Sequence, residues 1–243
     1  MFEQFIRTEM LIGKESLERL KNSKVAIFGV GGVGSYVVEG LARAGVGHFV
    51  LVDNDTVAES NINRQLVADY NTLGQDKVEV AKRRILLVNP DAEVETHKIF
   101  YLPGQEQNII DGCDYVVDAI DTVSAKIALV EECSQKEIKI ISSMGTGNKL
   151  NPTMFKVSDI YKTSVCPLCR VMRRELKKRN IQHLKVVYSE EEPIIPLNLK
   201  DSTVNAHSSK RQTPASISFV PSVAGLIIAS EVVKDIIDTS KST

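Results

Sequence analysis

The sequence is short of several things. It has no tryptophan, and aromatic residues make up only 5% of it, so no aromatic stacking cluster accompanies its basic residues. Four cysteines in 243 residues do not make a disulfide scaffold. No charge sign dominates: Lys and Arg number 30, Asp and Glu 31, for a net charge of −1. Global attraction to nucleic acid or a membrane is therefore excluded as the organising feature, although a local basic patch is not. There is no apolar run of about 18 residues or more, which argues against a transmembrane helix. The opening MFEQFIRTEM carries charges inside its short apolar stretch and does not read as a secretory signal. Internal repeats and low-complexity tracts are also missing. What is present is ordinary: 43% hydrophobic and 25% charged residues, in a chain long enough to bury a full α/β core. A cytoplasmic globular protein is expected.

The opening pattern is strand, glycine-rich turn, helix, strand, acid. Lys24–Phe28 (KVAIF) is a β-branched apolar run of the length of a buried strand. It runs into Gly29-Val30-Gly31-Gly32-Val33-Gly34, then into Ser35–Ala44, which has helical spacing, with Gly45 as the stop. A second run, His48–Val52, ends at Asp53. Gly29, Gly31 and Gly34 thus satisfy G-x-G-x-x-G in the context that gives it meaning. Glycines let the backbone approach a ligand, and the helix N-terminus offers free N–H groups to phosphate oxygens. Asp53 would receive ribose hydroxyls.

The alternation continues. Residues 92–99 alternate like a strand, 115–119 read as a buried strand beside Asp118 and Asp121, 124–136 as a helix, and 139–143 as a strand followed by Gly145 and Gly147. This predicts an α/β fold, a Rossmann-like, doubly wound, mostly parallel sheet with a C-terminal elaboration. Ligands in such sheets sit at the carboxyl ends of the strands. Asp53, Asp121 and Ser143-Met144-Gly145 should all lie there.

An acid about 20 residues beyond the glycines also suits a nicotinamide dehydrogenase. The residues after Asp53 argue against it. Asp53-x-Asp55 leads into Ser60-Asn61-Ile62-Asn63-Arg64-Gln65 and then Gly74-Gln75-Asp76-Lys77-Val78. A pyrophosphate is handled largely by backbone N–H groups, whereas a reacting triphosphate needs fixed cations and usually a metal. Arg64 and Lys77 supply cations, and Asp121 a hard oxygen for Mg²⁺. Taken singly, each has a plainer reading as a surface charge, a solvated helix start or a helix cap. Their joint order with the glycine loop favours the functional one.

Gly29–Gly34, Asp53-Asn54-Asp55, Asn61-x-Asn63-Arg64-Gln65, Gly74-x-x-Lys77-Val78 and Asp121 together resemble the ubiquitin-activating-enzyme-like superfamily, whose small members adenylate a carboxylate with ATP. The resemblance implies that Asp53 binds ribose, that Gly31 and Gly32 approach the phosphates, that Asn61, Arg64 and Lys77 surround them, and that Asp121 binds Mg²⁺. Arg7 sits where relatives carry an arginine that enters the partner subunit's ATP site, which implies a homodimer. ATP and Mg²⁺ are the expected cofactors.

Two branches compete for the activated carboxylate. One adenylates the C-terminus of a ubiquitin-like sulfur carrier and implies a sulfur-relay protein partner. The other dehydrates threonylcarbamoyladenosine in tRNA. The second resemblance is closer, extending through Ser142–Phe155, Asp159–Thr163, Cys166–Arg179, Val186–Ser189 and Pro214–Gly225. The whole chain then reads as one adenylating domain, about 1–147 forming the nucleotide-binding core and about 148–243 the substrate-contacting part. In that chemistry the carboxylate attacks the α-phosphorus of ATP, pyrophosphate leaves, and a neighbouring nitrogen or carbonyl oxygen closes a ring as AMP departs. No cysteine nucleophile is required, and packing is the expected role of Cys113 and Cys133. Cys166-Pro167-Leu168-Cys169 has ligand spacing, but with a single C-x-x-C a closed four-thiolate zinc site is not available in one chain. A site shared across a dimer and a redox role both stay open.

Arg170, Arg173, Arg174, Lys177, Lys178 and Arg179 form a basic segment on an expected helix. Positions 170, 173, 174 and 177 share one face, with Val171, Met172 and Leu176 turned inward. The plainer reading is a solvated face; the functional one is a phosphate-binding stripe for tRNA, extended by Lys149, Lys156 and Lys162. Backbone charge recognition of a structured RNA needs no stacking platform. Residues 190–213 read as a mobile loop, 216–220 as a strand, and 221–238 as an apolar helix with proline at its first position.

Overall fold

The computed structural model describes residues 3–104, 108–196 and 214–238. Of the loop expected over 190–213, residues 197–213 lie outside the described residues. In chain order the elements are α1 (Ile6–Ile12), α2 (Lys14–Asn22), β1 (Lys24–Phe28), α3 (Gly34–Ala44), β2 (His48–Val52), α4 (Lys77–Val88), β3 (Glu93–His97), β4 (Tyr115–Asp118), α5 (Val123–Gln135), β5 (Lys139–Ser143), β6 (Phe155–Asp159), α6 (Pro167–Lys178), β7 (Lys185–Ser189) and α7 (Phe219–Ile237). The strands form one seven-stranded sheet in the order β3-β2-β1-β4-β5-β7-β6. All pairings are parallel except β6 against β7.

Both faces of the central strands are buried, which is why they read as unbroken apolar runs. Val25 and Ile27 of β1 face a core built with Leu41, Ile85 and Ile228. Ala26 and Phe28, pointing the other way, join Ile110, Leu129 and Cys133. α7 returns from the C-terminal half to lie on α3. The approach is close: a Cβ on Gly40 would stand 2.8 Å from that of Ala229, and one on Gly225 would stand 2.4 Å from the Val33 carbonyl oxygen. Gly45 closes α3 at φ 101°, a left-handed cap.

The chain turns from β3 back to β4 on the far side of β1, so the sheet changes winding direction between β1 and β4. Ligands in open α/β sheets sit at such a point, beyond the carboxyl ends of the strands. No described helix is long and apolar enough to cross a membrane.

One expected element differs. Residues 216–220 are not a strand, and the last helix starts at Phe219 rather than at Pro221. Pro221 is its third residue. The first turn of a helix has no intrahelical partner for its N–H groups, so a proline there costs nothing and need not mark the first position.

Candidate functional site

A cavity of about 720 Å³ opens at the switch point. Its floor is the turn after β1. Gly29 has φ 87°, and a Cβ there would stand 2.6 Å from the Ala119 carbonyl oxygen, so only glycine fits. Gly29, Gly31 and Gly32 line the cavity; Gly34 does not. Gly34 is instead required by packing, since its Cβ would lie 1.7 Å from the Gly29 carbonyl oxygen. Gly31 is open, with nothing nearer to its Cβ position than the Gln65 side-chain nitrogen at 3.7 Å.

Asp53, at the end of β2, is tied to the loop. Its Oδ2 accepts the Val30 N–H at 2.7 Å and its Oδ1 the Asp55 N–H at 2.8 Å. Burial pushes its carboxyl above the usual range, against those two hydrogen bonds and the Lys77 charge. Lys77 opens α4 and is buried, and its Nζ donates to Asp55 Oδ2 at 2.7 Å. Asp55 itself is exposed, so it serves as the outer counter-ion that holds the ammonium in the cavity wall. Asn61 spends its Oδ1 on the Ala58 N–H at 3.1 Å. Arg64 donates from Nη1 to the Ser60 carbonyl at 2.9 Å and to Asn63 Oδ1 at 2.8 Å, which directs the guanidinium along the rim. Asn61, Arg64, Lys77 and Asp121 all line the same cavity as the glycines and Asp53.

Asp121 is an exposed carboxylate at the mouth, on the turn between β4 and α5. Thr122, not Asp121, occupies the N-cap position of α5. The described residues hold no group of three or more His, Cys, Asp or Glu suited to a metal. At this turn the oxygen donor is a single exposed carboxylate, of the hard kind that divalent cations such as Mg²⁺ take.

Arg7 lies elsewhere. It is exposed on α1 and is not part of this cavity, and its neighbours Met10 and Leu11 are 83% and 85% exposed.

Ser143, Met144 and Gly145 line the cavity as expected, whereas its apolar end and the 214–221 side carried no signal in the sequence. Phe28, Val52, Ile99, Phe100 and Tyr101 form an apolar end, where Phe28 and Tyr101 meet edge to face at 5.0 Å. The opposite end is made by residues 143–147, Leu168, Pro214, Ser216 and Pro221. Gln65, beside Gly31, also lines the cavity and is buried with its Oε1 unpartnered among the described residues. A discoverable signal was its place inside the Asn-Arg-Gln run.

The α6 cations divide. Met172 and Leu176 are buried and Val171 half-buried. Arg173 turns inward, donating to the Thr163 carbonyl at 3.1 Å and to its hydroxyl. Glu175 gathers Arg174, Lys178 and Arg179 within 3.0 to 3.2 Å, and Lys178 foremost among them holds its carboxyl down at about 2. Arg179 also meets Glu131. Arg170 and Lys177 are exposed, with no ion pair among the described residues. Of the expected extensions, Lys162 is exposed, Lys156 pairs with Glu190 at 2.5 Å, and Lys149 is buried, donating to the Glu191 carbonyl. Lys149 therefore does not extend a surface stripe. Burial lowers its pKa.

Cys166 and Cys169 are buried around the start of α6. The Cys169 thiol and the N–H groups of Cys169, Gly145 and Leu168 all point at Cys166 sulfur and lower its pKa despite burial. Cys113 is pushed up to about 11, and Cys133 upward as well, in both cases by burial first. Low-reactivity packing thiols behave so.

Fold, glycine loop and cation-lined cavity define a nucleotide-binding α/β protein. The chain belongs to the ThiF family, whose model matches residues 5–243. It is 46% identical over 243 residues to the tRNA threonylcarbamoyladenosine dehydratase of Bacillus subtilis, covering 98% of this chain and 96% of that one. The Haemophilus influenzae dehydratase is 40% identical over 165 residues, 68% of this chain and 63% of the relative. Among solved structures, Escherichia coli tRNA N6-threonylcarbamoyladenosine dehydratase, TcdA, in complex with ATP superposes with a TM-score of 0.88 at 29% identity, covering 99% of this chain and 96% of that one.

Proposed function

We propose that this chain is an ATP-dependent dehydratase that cyclises N6-threonylcarbamoyladenosine in tRNA by adenylating the threonyl carboxylate. One observation carries the reading: the likeness to the Bacillus subtilis dehydratase runs nearly end to end, beyond the nucleotide half and through α6, β7 and α7. Adenylation of a sulfur carrier is less supported, and so is the sulfur-relay partner it implies.

The cavity is within the size range of small-ligand pockets, with an apolar end for a base and a glycine-floored end for phosphates. Asp53 keeps oxygen lone pairs free for ribose. Arg64 and Lys77 set two fixed cations beside the reacting phosphates, where preorganised charge is worth most. The carboxylate oxygen bonds to the α-phosphorus and pyrophosphate leaves. The adjacent carbamoyl group then attacks the acyl carbon, and AMP departs with that oxygen. Because the attacking group belongs to the same molecule, effective molarity is already high and the protein need only align and shield it. Asp121 is the residue that would hold Mg²⁺, which when bound neutralises phosphate charge.

Three further parts belong to this proposal. Arg170 and Lys177 are the α6 cations left for RNA phosphates. The chain works as a cytoplasmic homodimer in which α1 meets the partner, and the exposed Met10 and Leu11 beside Arg7 support that reading. Arg7 then completes the partner's site. Residues 1–243 act as one adenylating domain, about 1–147 for the nucleotide and the remainder for the substrate.

Incubating the protein with ATP, Mg²⁺ and tRNA carrying the modification, then weighing the nucleosides, tests the function. Loss of one water from the modified adenosine is expected. An unchanged mass, with turnover of ATP only on adding a protein ending in Gly-Gly, overturns it in favour of the sulfur-carrier reaction.

A further inference from the structure

Lys126 and Asp118 form an ion pair in which both side chains are 0% exposed, with Lys126 Nζ 2.9 Å from Asp118 Oδ2. The same ammonium donates to the carbonyl oxygens of Ile120 at 3.0 Å and Ser143 at 2.8 Å. Asp118 ends β4, and its Oδ1 accepts the Ile120 N–H at 3.1 Å. Neither residue lines the nucleotide cavity, yet the carbonyls they hold belong to its two lips. Ile120 precedes Asp121. Ser143 precedes the 144–147 turn at the opposite end.

Stability alone does not account for this arrangement. Desolvating two charges costs several kcal/mol per ion, and apolar residues of similar volume are often as good or better at such sites. Lys126 is also the fourth residue of α5, where the helix dipole disfavours a cation. What an ammonium supplies and an apolar group cannot is a set of donors that fixes two backbone carbonyls, one in the turn after β4 and one at the end of β5, at one distance from each other. A lysine in the first turns of a helix points back toward the helix N-terminus, so it reaches both.

We propose that Lys126, braced by Asp118, is a positioning residue for adenylation: it sets the spacing between the Ile120–Asp121 lip and the Ser143–Gly147 lip, and hence the alignment of ATP with the incoming carboxylate. The inference rests on the ATP-dependent reading above. Lys126 acts through the lips and not by touching the nucleotide. Misalignment of about 1 Å can cost on the order of 100-fold in rate. Ground-state ATP binding, made mostly by the glycine loop, Asp53, Arg64 and Lys77, should be spared.

The test uses Asp118→Asn/Lys126→Met, which removes both charges and so leaves none buried alone, and Lys126→Arg, which keeps the pair but changes the reach to the carbonyls. Backbone amide exchange is measured on both, alongside ATP affinity and turnover on modified tRNA. The double variant should exchange faster at residues 119–122 and 144–147 while other segments stay protected. Its turnover should fall about 100-fold with ATP affinity within about threefold. Lys126→Arg should recover lip protection in part and turnover in proportion. Lips as protected as in the wild type, turnover within about threefold, or rate and affinity falling together overturn the proposal. Should the double variant not fold, wild-type lip protection and turnover in Lys126→Arg overturn it equally. If wild-type protein itself fails to dehydrate the nucleoside, the function is wrong. The exchange data then judge the clamp by themselves: selective loosening of the lips keeps it and none removes it.

Discussion

Replacing Lys77 by methionine separates catalysis from folding. The Lys77 side chain is 5% exposed, but its partner Asp55 is 57% exposed, and the two meet at 2.7 Å. A pair with one end open to water is screened and contributes about 1 kcal/mol or less. Methionine keeps an unbranched stem in the same space. The expected loss is therefore about 1 kcal/mol, or about 2–4 °C in Tm for a domain of this size. Function should suffer far more. In the proposed reaction Lys77 is one of two fixed cations beside the phosphates, and removing a preorganised donor of this kind typically costs about 100- to 1,000-fold in kcat. Asp55, left unpaired at the cavity wall, would add repulsion toward the triphosphate, so Asp55→Asn/Lys77→Met should bind ATP more tightly than Lys77→Met alone. Turnover on modified tRNA, ATP titration and thermal melts on the three proteins read this out. A Tm fall above about 10 °C would make Lys77 a folding residue, and activity within about threefold of wild type would show it does not face the reaction.

Other expectations follow from the same geometry. Gly34→Ala drives a Cβ to 1.7 Å from a backbone oxygen and should destabilise by about 3 kcal/mol or more; Gly31→Ala, which meets nothing closer than 3.7 Å, should keep its melting temperature and lose ATP affinity. Equal melts, or equal ATP binding, would contradict the division of labour between those glycines. Burial is the largest single influence on Asp235 and Glu231 and raises both, but hydrogen bonds and charge from Lys185, joined by Lys234 at Glu231 and by Tyr115 and Lys139 at Asp235, together hold their carboxyls below the usual range. A depressed carboxyl contributes stability that is present above its unfolded pKa and lost as pH falls through the folded one. Lys185→Met should accordingly lower urea stability at pH 7 and narrow the gap between about pH 7 and pH 3; an unchanged gap refutes that assignment. Arg170→Ala/Lys177→Ala should weaken tRNA binding and reduce its salt slope by about one to two units, leaving ATP affinity alone, whereas an unchanged slope would free α6 from any RNA role.

Much of the fold was legible because its central strands are buried on both faces. KVAIF, between Ser23 and Gly29, and HFVLV, between Gly47 and Asp53, read as bounded apolar runs, KIISS as a shorter one ahead of Gly145, and the strands fall on those residues. The glycine loop was legible for a backbone reason, the strand–turn–helix context. The misread stretch, SISFV before Pro221, alternates like a strand, but α7 begins at Phe219 and carries Pro221, its third residue, against Gly32, where an added Cβ would stand 3.2 Å from that of Pro221. The α6 stripe overcounted free charge because Glu175, visible within RRELKKR, sits three and four residues before Lys178 and Arg179. Lys126 was invisible by composition, since a lysine on a helix reads as solvated until the sheet places two carbonyls and an aspartate above it.

In the proposed reaction the threonyl carboxylate itself becomes the mixed anhydride. Threonylcarbamoyladenosine carrying heavy oxygen in that carboxylate, incorporated into tRNA and turned over with ATP, tests it directly. One labelled oxygen should appear in AMP and none in pyrophosphate or solvent water. Cyclisation with unlabelled AMP would contradict it.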